Sequence, residues 1–141
     1  MPEVLQQMLN YVIAIYIRLS AEDGDLSDEK SESNSVVNQR AYIRRFIELR
    51  PEFARAQILE FCDDGYSGTN MERPAVRRLL EQVRQRKINC IIVKDMSRFG
   101  RDYIVVGDYL EQIFPFLDVR FIAINDSYDS KDHKYGSAGL I

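Results

Sequence analysis

Long apolar runs are missing from this chain, and no stretch approaches the roughly 20 apolar residues of a spanning helix. Residues 1–10 also lack the basic start and apolar core of a secretory signal, so a cytoplasmic setting is expected. Cysteine is scarce. Cys62 and Cys90 are the two present; they lack zinc-ligand spacing, and both read as reduced core residues. Histidine is scarcer still: the single one, His133, falls in a polar tail, which argues against a serine activated by histidine and aspartate. A basic surplus is absent too. The net charge of −3 argues against a chain that grips a nucleic-acid duplex on charge alone. Within residues 21–34, however, six acids (Glu22, Asp23, Asp25, Asp28, Glu29, Glu32) face one base, Lys30, a local −5 that leaves the remaining chain at +2. A mildly positive body with an acidic loop suits a phosphate at a defined site. Repeats and low-complexity tracts are likewise missing.

What is present fits one domain: 141 residues, 45% of them hydrophobic, enough to bury roughly 68% of the unfolded surface. Residues 12–18 (VIAIYIR), 56–62 (AQILEFC), 88–94 (INCIIVK) and 119–125 are short apolar runs rich in β-branched residues, and predict strands. Between them the period lengthens. Ser35 is placed to cap a helix carrying Val36, Ile43, Phe46 and Ile47, with Pro51 ending it. Pro74 suits the first position of a helix with Val76, Leu79, Leu80 and Val83 on one face and Arg77, Arg78, Arg84 and Arg86 elsewhere. A third helix is expected from about residue 102 to 114, halted near Pro115. Residues 21–34 read as an exposed loop, residues 63–70 (DDGYSGTN) as a mobile one, and 126–141 as a tail without periodicity. This alternation predicts an α/β fold: a mostly parallel sheet flanked by helices on both faces, with right-handed connections.

In such a sheet ligands sit at the carboxyl edge, where three strand ends bring Arg18 and Ser20, then Ser67 and Arg73, then Arg98 and Arg101. Arg98 and Arg101, three residues apart, are expected on one face of a helix starting after the third strand, as a clamp for phosphate. Four arginines around a serine suit attack on a phosphodiester, because charge growing on the nonbridging oxygens needs donors that stay protonated. Plainer readings stand beside this one. A serine after a strand is ordinarily a turn or cap, an arginine pair is ordinarily a solvated face, and Asp63, Asp64, Asp95 and Asp102 serve equally as caps. Lys94 with Asp63 and Asp64 also suits a receiver-type phosphate-binding module. Asp23, Asp25, Asp63 and Asp64 suit a metal-dependent nuclease. A catalytically silent scaffold is the last alternative.

Three ordered motifs carry a resemblance: Tyr16-Ile17-Arg18-Leu19-Ser20; then Asp64-Gly65-Tyr66-Ser67-Gly68 with Arg73-Pro74 and Leu79-Leu80; then Ser97-Arg98-Phe99-Gly100-Arg101-Asp102. In order, spacing and strand-end placement this resembles the catalytic domain of the serine recombinases, the resolvase and invertase family, and most of all the large serine recombinases of mobile elements. The resemblance implies that Ser20 attacks a DNA phosphodiester, forms a 5′-phosphoserine link and releases a 3′-hydroxyl. Strand exchange and reversal of the attack then reseal the DNA without ATP, metal or other cofactor. Arg18, Arg98 and Arg101 would bind the scissile phosphate, Arg73 would support them, and Ser67 and Gln39 would assist. Ser97 departs from the family, many of whose members have an aspartate there; Asp102 is the expected substitute. DNA is the implied partner, with a homodimer or homotetramer in the full-length protein. Residues 1–141 are expected to be one catalytic domain whose DNA-binding region lies elsewhere in a longer protein, so that this segment alone is inactive or weak.

Overall fold

A computed structural model describes residues 10–19, 29–64 and 73–132, with residues 29–35 described as backbone. Strand β1 is Val12–Leu19, β2 is Gln57–Asp64, β3 is Cys90–Val93 and β4 is Arg120–Ala123. All pair in parallel, in the order β2-β1-β3-β4, and a two-residue β5, Tyr128–Asp129, closes the edge antiparallel to β4. The predicted α/β architecture is therefore the observed one.

Alternation along β1 divides the core in two. Ile13, Ile15 and Ile17 face helix α1 (Glu29–Glu48) and pack with Ile43, Ile47 and Phe53. Ala14 and Tyr16 face helix α2 (Pro74–Arg84) and pack with Val76, Leu79 and Leu80. Covered on both sides, β1 and β3 read as largely apolar runs; the exception in β1 is Arg18 near its carboxyl end, buried with its donors bonded to carbonyl oxygens. Next to α2 lies an aromatic cluster: Phe121 stacks on Phe114 at 5.8 Å between ring centroids and meets Phe99 edge-on at 5.1 Å. Burial of each such ring contributes roughly 1.5–3 kcal/mol.

Several boundaries differ from expectation. Helix α1 starts at Glu29, so Ser35 lies inside it and residues 29–34 are helical; Glu, Lys and Ser at these positions are compatible with a helix by propensity. Strand β2 runs through Asp63 and Asp64, two residues beyond the expected strand end. As an edge strand it alternates, and Cys62 is exposed; only Cys90 is a core thiol, its pKa raised by burial. The third long helix does end near Pro115, at Phe116, but it is not regular along its length. After α4 (Tyr103–Asp108) the chain widens into a π-helical turn, Tyr109–Ile113, and continues through Phe114–Phe116. Phe114 donates its N–H to the Tyr109 carbonyl, the wider spacing that accommodates a ring unable to donate one residue later. Among the described residues no helix is long and apolar enough to cross a membrane.

The supposed tail is tied down by charge. Arg120 at the start of β4 donates to Asp129 Oδ1 at 3.0 Å and Oδ2 at 2.7 Å, to Glu52 at 3.0 Å and to the Tyr11 hydroxyl at 3.1 Å. Burial alone would raise the Asp129 pKa, but the bonds from Arg120 outweigh it and hold the carboxyl below its ordinary value; Glu52 is held down in the same way. Depressed carboxylates contribute stability above their unfolded values, about 3.9 and 4.3, and lose it as pH falls through the lower folded ones. The urea midpoint is therefore expected to drop between about pH 6 and about pH 3, and to drop less in Arg120→Met, where neither carboxylate has this partner.

Candidate active site

Between β1 and β3 the chain reverses its direction of travel across the sheet: it goes out from β1 to β2 and returns past β1 to β3. At such a switch point the loops leaving the two strands diverge and open a crevice at their carboxyl ends. Arg18, near the end of β1, and Arg98, in the short helix α3 (Met96–Phe99) that follows β3, stand at this edge. Arg73 joins them from the residue before α2. All three are buried, Arg18 fully.

Their bonds reveal a platform. Arg18 Nε donates to the Arg98 carbonyl at 3.1 Å and Nη2 to the Ser97 carbonyl at 2.9 Å. Arg73 Nη1 donates to the Arg98 carbonyl at 3.2 Å, and its Nη2 to the Phe99 carbonyl. The backbone of residues 97–99 is thus held by two guanidiniums. Arg98 returns the contact, donating through Nη1 to the Arg18 carbonyl at 2.9 Å; Gln39 Nε2, from α1, approaches the same oxygen at 3.4 Å. Carbonyl oxygens satisfy these donors, and three guanidiniums gathered at one edge suit an anion.

Tyr16 and Asp63 hold the platform in turn. Tyr16 and Arg18 are two residues apart on one strand, so both side chains leave on the same face. The Tyr16 hydroxyl donates to Asp63 Oδ2 at 2.7 Å and accepts from Arg73 Nη1 at 2.9 Å. Burial, reinforced by the Asp63 hydrogen bond and charge, raises the phenol's pKa and keeps it protonated. Burial, and after it the Arg18 charge, lowers that of Arg73, which remains a cation. Asp63 also caps α2 from a distance: Oδ1 accepts the Ala75 N–H at 2.8 Å and Oδ2 the Val76 N–H at 3.0 Å. With both oxygens engaged, Asp63 is poorly placed for the receiver and nuclease readings. Among the described residues no three His, Cys, Asp or Glu side chains gather as a metal site.

Other candidates are placed differently. Arg101 does not share a helix face with Arg98: α3 ends at Phe99, and Arg101 is exposed in the connection to α4. Asp102 caps α4, accepting from the Ile104 and Val105 N–H groups at 3.1 and 3.2 Å. Ser20, Ser67 and the remainder of the 65–72 segment lie outside the described residues, as do Asp23, Asp25 and His133. Tyr16 was missed in the sequence as a site residue; its two-residue offset from Arg18 was the available signal.

Residues 13–139 match the family model of the resolvase N-terminal domain. The chain belongs to this family. A Bacillus subtilis (strain 168) protein named "Putative DNA recombinase" is 27% identical over 120 residues, which make up 83% of this chain and 21% of that protein's length. Among solved structures, the N-terminal catalytic domain of TP901-1 integrase superposes with a TM-score of 0.67 at 22% identity, covering 84% of this chain and 81% of the other. A resolvase family site-specific recombinase from Streptococcus pneumoniae gives 0.64 at 23% identity, covering 88% and 78%. These two likenesses speak for a shared α/β fold. In this resolvase domain the arginine platform stands where the sheet opens.

Proposed function

We propose that this chain is the catalytic domain of a longer site-specific DNA recombinase of the serine type, acting on DNA in the cytoplasm as a homodimer or homotetramer. The observation that carries the reading is the platform of Arg18, Arg73 and Arg98 at the switch point, two residues in sequence from Ser20. In this reading the Ser20 hydroxyl attacks the scissile phosphorus, the 3′-oxygen leaves and takes up a proton, and a 5′-phosphoserine link remains. Resealing runs the same exchange backward with a new 3′-hydroxyl, so the phosphodiester energy is retained and no nucleotide cofactor is required. Arg18, Arg98 and Arg101 stabilise charge on the nonbridging oxygens, in a site whose fixed donors need no reorganisation. Arg73 acts by holding the turn that carries Arg98, while Gln39 and Ser67 assist. Family membership over residues 13–139 supports the reading, and the Bacillus relative's name agrees with it.

The test uses the full-length protein with duplexes taken from either side of its own gene, in chelator and without ATP. Denatured products are expected to contain protein covalently joined to a DNA 5′ end, with the bond mapping by mass spectrometry to the peptide containing Ser20. Cleavage that requires Mg²⁺ and leaves no adduct would overturn the proposal.

A further inference from the structure

Asp95 occupies the cap position of α3, where an aspartate ordinarily accepts from the N–H groups of the first turn. Its side chain makes no such bond. Asp126, from the turn after β4, accepts the Met96 N–H at 2.6 Å instead. The Asp95 carboxylate is turned toward the platform: Oδ1 accepts the Ser97 hydroxyl at 2.6 Å, and Oδ2 lies 3.6 Å from Arg98 Nε. Arg18 meanwhile fixes the Ser97 carbonyl, so this residue is held by its backbone and by its side chain.

A serine hydroxyl has one proton to donate. With that proton directed at Asp95, the exposed Ser97 is left with Oγ lone pairs to offer as an acceptor. Anionic phosphate oxygens carry no proton and are matched by Arg98, whereas an acceptor beside Arg98 is matched by a hydroxyl. Building on the function proposed above, we infer that Asp95 is a positioning residue: acting through Ser97 Oγ, it holds the sugar 3′-hydroxyl that is released on cleavage and attacks on resealing, and it aims Arg98 at the phosphate. The carboxylate expected from Asp102 is thereby supplied by Asp95, since Asp102 is engaged in capping α4.

Resealing of a preformed protein–DNA adduct, made by the full-length protein on duplexes flanking its own gene, provides the test. Asp95→Ala is expected to slow resealing about 30-fold and Ser97→Ala about 10-fold; together they should slow it about 30-fold rather than about 300-fold, because one acts through the other. Exchanging the two residues, Asp95→Ser with Ser97→Asp, should restore the rate to within about threefold, a recovery that a purely structural helix-end role would not produce. Ser97 is exposed, so Ser97→Ala keeps the test readable even where Asp95→Ala lowers the melting temperature. Wild-type rates in both single variants, or effects that multiply, would overturn the inference while leaving the recombinase reading intact. A wild-type protein that forms no adduct would overturn both.

Discussion

Ser20→Ala in the full-length protein is expected to leave no protein–DNA adduct, whereas Arg98→Ala should leave a slow residue of one, reduced roughly a hundred- to a thousandfold. The contrast follows from what each side chain supplies. Without a nucleophilic oxygen there is no atom to form the link, so its loss is complete. A charge stabiliser lowers the barrier without taking part in the bonds, and neighbouring donors continue to act when it is gone. Arg18 and Arg73 remain in place in Arg98→Ala, because their bonds run to the backbone of residues 97–99 and not to the Arg98 side chain. The Arg18 carbonyl keeps Gln39 Nε2 at 3.4 Å, and Asp95 keeps the Ser97 hydroxyl, so the fold should lose about 1–3 kcal/mol and survive. Arg98→Lys, which preserves charge and loses the planar fork, should fall between, about tenfold below wild type. Adduct in Ser20→Ala at the wild-type rate would move the nucleophile to another residue, and the labelled peptide would identify it.

The sequence made the sheet legible and the site only partly so. Strands β1 and β3 announce themselves because a strand covered on both faces is mostly apolar, and Pro74 marks the start of α2 because an initial helix position requires no N–H. Strand β5 was hidden: two residues carry no period, and what holds them is the ion pair of Asp129 with Arg120, nine positions earlier. Cys62 was misplaced because β2 is an edge strand, and edge position is a property of strand order that no local pattern encodes. Arg98 and Arg101 have helical spacing, yet the helix between them ends at Phe99 with Gly100 in an extended conformation. Asp63, Asp95 and Asp102 could each be named as cap candidates from sequence. Asp102 caps its own helix, Asp63 caps one that begins eleven residues later, and Asp95 leaves its helix to Asp126. Only the folded sheet decides among them.

Asp63→Ala is expected to lower stability by about 3 kcal/mol, the largest loss from any single polar side chain around the platform, and the melting temperature by about 10 °C. Three separate donors converge on this carboxylate: the Ala75 and Val76 N–H groups of α2 and the Tyr16 hydroxyl. Loss of a helix cap alone costs about 1 kcal/mol. The hydroxyl is buried with Arg73 as its other partner, so the loss of its acceptor adds about 1–3 kcal/mol. Two controls separate these parts. Tyr16→Phe leaves the cap intact and should cost about 1–2 kcal/mol, whereas Asp64→Ala, at the exposed neighbouring position, should stay within about 0.5 kcal/mol of wild type. Urea denaturation of the three variants reads all of this, and an Asp63→Ala midpoint as high as that of Asp64→Ala would refute the remote cap. Because Arg73 reaches both the Tyr16 hydroxyl and the turn bearing Arg98, loosening Asp63 should also disturb the platform, and adduct formation by folded Asp63→Ala should fall although the residue touches no part of the DNA.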